Sequence, residues 1–214
     1  MIRGKFIAFE GGEGRGKSTQ AAKLASALQE RGVEAELTRE PGGTPGAEAI
    51  RALLLTPPGD GWNVEAEALL FAAARADHVA KRIWPALADG RWVICDRFLD
   101  SSRAYQGVAG AMGDEAIQVL HSIGSRNLLP DLTIVLETDD EIADERLRER
   151  DGGASDAIGG RERTYHANVN RAFRDFSAGE PDRFAFVSGE GGVDDVHGRV
   201  MTVIAPLLGD AKGV

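Results

Sequence analysis

Gly11-Gly12-Glu13-Gly14-Arg15-Gly16-Lys17-Ser18 is the stretch on which the reading of this chain turns. It fits the pattern of Gly, four residues, then Gly-Lys-Ser/Thr. Phe6-Ile7-Ala8-Phe9-Glu10 before it is an apolar strand candidate. Lys17-Ser18-Thr19-Gln20 after it opens a helical pattern that runs through Leu24 and Leu28 and stops at Gly32. Strand, glycine loop and helix in this order make a phosphate cradle. The glycines let the backbone N–H groups turn inward at the positive end of the helix, Lys17 adds a full charge and Ser18 offers a metal-binding hydroxyl. The stretch Gly11 to Thr19 is thus expected to bind a nucleoside triphosphate with Mg2+. An ordinary glycine turn is the competing reading, and it does not require both flanks.

Outward from the loop, short β-type runs alternate with longer helical ones. Strands are expected at 5-10, 34-38, 91-96, 132-136 and 184-187, and helices at 17-30, 46-55, 64-88, 113-124, 140-150, 162-177 and 193-208. Such alternation predicts an α/β, three-layer P-loop NTPase fold: a five-stranded parallel sheet with helices on both faces and functional groups at the carboxyl ends of its strands. With 214 residues, 43% of them hydrophobic, and no internal repeat or linker, a single domain over 1-214 is expected. Residues 151-160, glycine-rich and flanked by Arg150, Arg161 and Arg163, lack periodicity. They read either as a surface loop or as a lid over phosphates spanning about 150-163.

Charge narrows the partners. Lys+Arg 25 against Asp+Glu 34 gives a net charge of −9, which argues against charge-driven binding to a nucleic acid polymer or an anionic membrane. The single Cys95, inside the apolar run Trp92-Val93-Ile94-Cys95, reads as a buried small residue. His78, His121, His166 and His197 lack metal-ligand spacing and read as structural or surface groups. The N-terminus has no apolar signal stretch, and a cytoplasmic location is expected.

Three clusters, two of which follow strands, point to a second substrate. Arg39-Glu40-Pro41-Gly42-Gly43-Thr44 is a charged turn with Arg51 on the next helix; the arginines read either as surface ion pairs or as a phosphate clamp. Phe71 and Arg75, four apart, share a helix face. By spacing alone a core Phe beside a solvent-reaching Arg fits better than a pair that stacks on a base and bonds its edge. Asp96-Arg97-Phe98 closes the third strand, where a carboxylate can hold a magnesium shell and an arginine can offset charge on a transferring group. Ser102, Tyr105 and Gln106 lie just beyond.

Taken in order, Phe9-Glu10-Gly11-x-Glu13-Gly14-x-Gly16-Lys17-Ser18, Thr38-Arg39-Glu40-Pro41-Gly42-Gly43-Thr44, Leu70-Phe71-x-Ala73-x-Arg75, Asp96-Arg97-Phe98-x-x-Ser101-Ser102-x-Ala104-Tyr105-Gln106-Gly107 and Pro130-Asp131-Leu132-Thr133 strongly resemble the bacterial thymidylate kinase family over roughly residues 3 to 208. The resemblance implies a homodimeric enzyme that moves the ATP γ-phosphate to dTMP. It further implies Glu13 at the sugar 3′-hydroxyl, Lys17 and Ser18 at ATP and magnesium, and Asp96 holding the magnesium shell. Phe71 would stack on thymine with Arg75 at its edge. Arg39, Arg51 and Arg97 would clamp the acceptor phosphate, Tyr105 would crowd the sugar 2′ position, and Ser102 and Gln106 would contact base and sugar.

The chain departs from that pattern twice. Where relatives usually carry Asp-Arg-Ile/Phe-Glu in the lid it reads Asp156-Ala157-Ile158-Gly159, and Gly110 stands where many have Arg. The missing lid charge is expected from Arg15 inside the phosphate loop, or from Arg150, Arg161 or Arg163. A eukaryotic branch carries a phosphate-loop arginine at the position matching Gly14, one residue earlier. Two other readings stand beside the first: a kinase for another nucleoside monophosphate, and a nucleotide-binding regulator with weakened catalysis.

Overall fold

The computed structural model describes residues 3–151 and 163–209. The expected lid and its Arg161 lie outside the described residues, as do the side chains of Arg150 and Arg163. Among the described residues there are five parallel strands: β1 (Phe6–Glu10), β2 (Ala35–Arg39), β3 (Trp92–Asp96), β4 (Leu132–Glu137) and β5 (Phe184–Ser188). Their spatial order is β2-β3-β1-β4-β5, so β1 lies at the centre. All five residues of β1 are buried, as expected of a central strand covered on both faces. β2 forms an edge, and its Leu37 stays 41% exposed.

The helices form two layers. α1 (Lys17–Glu30) and α9 (Val193–Gly209) cover one face, where Leu24, Leu28, Val200 and Ile204 pack on Ile7, Ile94 and Ile134. The other face carries α3 (Val64–His78) and α4 (Trp84–Ala88), joined through the wider turn Val79–Ile83, together with α5 (Leu99–Ser102) and α6 (Asp114–Ser125). There Val79, Ile83 and Leu87 meet Phe6, Val93 and Phe98. The remaining helices are α2 (Pro45–Leu55), α7 (Asp140–Asp151) and α8 (Arg163–Gly179). Among the described residues no helix is long and apolar enough to cross a membrane.

Two elements differ from the sequence reading. The expected helix 64-88 widens to π geometry over Val79–Ile83 just before Pro85, which lacks an N–H and would crowd the preceding turn of a regular helix. The stretch after β3 is also helical: α5 runs into a π segment, Arg103–Ala109, closed by the Gly110 N–H on the Tyr105 carbonyl at 2.8 Å. Its sequence shows no one-sided apolar period because Arg103, Ala104, Tyr105, Gln106 and Gly107 are all buried.

Candidate active site

Sheet order brings the functional edge together. β1 pairs with β3 on one side and β4 on the other, so the phosphate loop leaves β1 between Asp96 and Thr138. Arg39 pairs in register with Asp96, carrying the charged turn of β2 to the same edge. The loop's geometry needs its glycines. Gly11 has φ 127° and an added Cβ would come 2.6 Å from the Leu136 carbonyl oxygen; Gly14 has φ 69° and would meet that of Ala143 at 2.3 Å. Both are positions where only a residue without a side chain fits.

A cavity of about 520 Å3 opens over this edge. It is lined by Glu13, Lys17, Ser18 and Thr19 of the phosphate loop and α1, by Phe71, Ser102, Tyr105 and Gln106, and by Arg39, Arg51 and Arg97. Lys17 is 6% exposed, and its Nζ donates to the Gly12 carbonyl at 2.6 Å. Burial, with Arg97 nearby, lowers its pKa to about 8. The Ser18 hydroxyl donates to Asp96 Oδ2, and the buried Asp96 Oδ1 has no hydrogen-bond partner among the described residues. A hydroxyl joined to a carboxylate with one oxygen left over is a donor set that suits a hydrated Mg2+.

Arg97 has a left-handed backbone, φ 68°. Its guanidinium donates to the Gly11 carbonyl at 3.2 Å, Ser101 Oγ at 3.0 Å and Glu13 Oε1 at 2.5 Å, and it lies 5.2 Å from the centre of the Tyr105 ring. The ring and three carboxylates, Glu13, Glu10 and Asp96, outweigh burial and hold its pKa above the ordinary arginine value. Tyr105 is buried, which raises its own pKa. Arg39 bonds Glu48 at 2.9 Å and Arg51 donates to the Pro41 carbonyl at 2.8 Å. Both therefore make local contacts while bordering the cavity.

Phe71 is half-buried on the cavity wall, whereas Arg75 does not reach solvent as spacing alone suggested. It is 3% exposed and stands directly behind the wall, donating to Glu40 Oε2 at 2.7 Å and to Ser102 Oγ at 2.9 Å. Glu40 is itself buried; burial raises its pKa, but Arg75 and His78 lower it further, and the net shift is downward. Gln106 donates to Glu67 at 2.7 Å.

Arg15 takes an unexpected direction. Its guanidinium donates to the Thr138 carbonyl and to Asp140 Oδ1, the latter at 2.5 Å, which ties the loop to the start of α7. Arg146, one face of α7 further on, borders the cavity and donates to the Gly189 carbonyl at 3.2 Å. The sequence reading passed over Arg146 because it is one of three arginines on a mostly charged helix, with no motif to single it out. It also passed over Glu10 and Glu40, whose signal was a single carboxylate ending or following an apolar strand. His78 lies buried between Thr38 Oγ1 at 2.7 Å and Glu40 at 3.0 Å, and His121 bonds the Leu128 carbonyl at 2.8 Å, so both are structural groups. Burial lowers the His121 pKa to about 4.

The thymidylate kinase family model matches residues 9–200. A thymidylate kinase of Rhizorhabdus wittichii is 53% identical over 207 residues, 96% of this chain and 99% of that one. One of Bradyrhizobium diazoefficiens is 46% identical, covering 96% and 91%. The crystal structure of thymidylate kinase from Ehrlichia chaffeensis superposes with a TM-score of 0.78 at 32% identity, over 94% of this chain and 99% of that one. A family match over most of the length, with relatives about half identical on nearly the whole chain and a solved structure of the same fold, places this chain in the thymidylate kinase family.

Proposed function

We propose that this protein transfers the γ-phosphate of ATP to dTMP, yielding ADP and dTDP. The observation that carries the reading is that Lys17 and Ser18, Phe71, Tyr105 and Gln106, and the arginines Arg39, Arg51 and Arg97 all line one cavity. Base and sugar occupy the wall, with Phe71 stacking on the base, Arg75 at its edge through the Ser102 side, and Tyr105 and Glu13 against the sugar. Phosphates occupy the middle. The acceptor is already an anion, so the protein's task is to align two negative groups and offset their repulsion. Lys17 and Arg97 supply charge to the transferring group; Arg39 and Arg51 hold the acceptor phosphate. Ser18 and Asp96 would hold Mg2+, which when bound neutralises phosphate charge.

A coupled ADP-release assay across dTMP, dUMP, UMP, CMP, AMP and GMP with Mg-ATP tests the reading. Turnover is expected to be fastest with dTMP. Equal rates across acceptors would remove the thymidylate assignment, and no rate with any of them would favour the regulator.

Arg15 remains our candidate for the charge absent from the lid, with Arg146 bordering the same cavity. Arg15→Ala is expected to lower kcat by about tenfold, equivalent to one lost charge contact of about 1.4 kcal/mol. An unchanged kcat in steady-state assays would assign Arg15 to packing the loop on α7. We also propose a homodimer: Leu69 on α3 and Val119 and Ile123 on α6, 55%, 52% and 76% exposed, leave apolar surface on two neighbouring helices. Light scattering at micromolar concentration reads its mass.

A further inference from the structure

We propose that Glu10 is a positioning residue for Arg97: it pins the turn that carries this arginine and, through the Ser101 hydroxyl, fixes how the guanidinium is held. The proposal rests on the phosphoryl-transfer reading, in which Arg97 faces the transferring group.

Glu10 ends β1, is completely buried and does not itself line the cavity; it meets the wall only from behind, through Ser101. A carboxylate in such a place is costly unless its oxygens are satisfied. Here three donors from one neighbouring segment converge on it. Oε1 accepts the Phe98 N–H at 2.8 Å and the Ser101 N–H at 3.0 Å; Oε2 accepts the Ser101 hydroxyl at 2.6 Å. The residue enclosed by these contacts is Arg97, whose own N–H donates to the Phe9 carbonyl at 2.9 Å. The end of β1 therefore grips the peptide groups on both sides of the left-handed Arg97, a backbone state that a bulky residue leaves unless its surroundings hold it.

The polarity of the contacts extends the grip to the side chain. An ionised carboxylate only accepts, so the single Ser101 hydroxyl proton points at Glu10 and a lone pair is left for Arg97 Nη1 at 3.0 Å. Arg97 in turn places its other arm on Glu13. Replacing the carboxylate by a group that donates toward Ser101 removes the acceptor that orients the hydroxyl proton, so the oxygen must serve two donors at once and its proton is free to turn toward Arg97. The same loss accompanies protonation of Glu10. Burial and the neighbouring Asp100 raise its pKa to about 7, against the opposing pull of Arg97. The titratable and charged groups facing it are Asp100 and Tyr105 from α5 and its π extension, Arg97 and Cys95 from β3 and its end, and Lys17 from α1.

Glu10→Gln, which keeps the shape and reverses the polarity, tests this beside Ser101→Ala, which removes the relay and keeps the backbone grip. With Mg-ATP and dTMP at pH 8, each is expected to lower kcat by about tenfold with KM for ATP changed less than about twofold, and the double variant to lose no more than the worse single one. Wild type is expected to lose kcat as the pH falls through about 7, since a carboxylate raised in the fold is ionised only above that value. Glu10→Gln is expected to lack that limb; ionisation of the acceptor's own phosphate, at about 6, is common to both enzymes. Wild-type kcat with the limb retained in Glu10→Gln overturns the proposal. If that variant does not fold, wild-type kcat in Ser101→Ala overturns it alone. A wild type inactive on dTMP would count against the substrate reading instead. The positioning is then judged by nitrogen-15 NMR of the Arg97 guanidinium, expected to rotate slowly in wild type and freely in Ser101→Ala; equal rotation in both overturns it.

Discussion

Lys17→Ala is expected to lower kcat by at least about 10²-fold while leaving the fold intact, because it removes a charge aimed at the place where negative charge develops. Lys17 is well placed for that role: it is nearly enclosed, and among the described residues its ammonium group donates to the Gly12 carbonyl, with three donors in all to share with phosphate oxygens. Its energetics separate function from stability. A lysine whose pKa is lowered to about 8 in the fold holds its charge at a cost to the folded state, and the cost is present at every pH below that value. Removing the ammonium relieves it, so the melting temperature of Lys17→Ala is expected to be no lower than that of wild type. Steady-state kinetics and thermal unfolding on the same preparation check both halves. A kcat within tenfold of wild type would remove Lys17 from the transition state. A drop in both kcat and melting temperature would show that its contact with Gly12 shapes the loop.

The loop and its flanks were legible because they are contiguous: the strand, turn and helix are coded within residues 6 to 30. The strand order was not, since nothing local records that β3 and β4 flank β1, yet that order is what sets Asp96 beside Ser18. The fate of Arg75 shows the same limit. Four-residue spacing put it on a face with Phe71, but Glu40, 35 residues earlier in the chain, drew it out of solvent. The family resemblance takes in both the Arg39-Glu40-Pro41-Gly42-Gly43 turn and the Phe71–Arg75 face, yet it does not by itself record that Glu40 and Arg75 pair. It did not reveal where Arg15 turns. That depends on Asp140 beyond the end of β4, and no pattern within the loop contains it. The π segment was invisible for a different reason: burial on all sides erases the polar face that periodicity needs.

Asp100→Ala is expected to cost about 3 kcal/mol of stability, the lower end of the range for breaking a buried ion pair. Asp100 is completely buried and receives Arg183 at 2.6 and 2.9 Å, Arg103 at 2.9 Å and the Thr133 hydroxyl at 3.1 Å. The low end applies because the arginines keep other partners. Arg103 still bonds Asp114 and Glu180, and Arg183 still bonds Glu180. For a chain of this size the loss corresponds to a fall in melting temperature of roughly 6–12 °C. Burial raises the Asp100 pKa, but the two arginines outweigh it and the net shift is downward. Its contribution is therefore complete above the ordinary carboxylate pKa, about 4, and is lost as the pH falls through the lower folded value. The melting-temperature gap between wild type and Asp100→Ala should accordingly be full at pH 7 and shrink only in strong acid. The network joins α5 to β4, to the start of α6 through Asp114 and to the end of α8 through Glu180, and the π segment carrying Tyr105 and Gln106 begins within it. Below the melting transition the variant is thus expected to raise KM for dTMP more than KM for ATP. A melting temperature within about 3 °C of wild type at pH 7 would show that Arg103 and Arg183 are held sufficiently by Asp114 and Glu180, and that Asp100 is not the anchor of the acceptor wall.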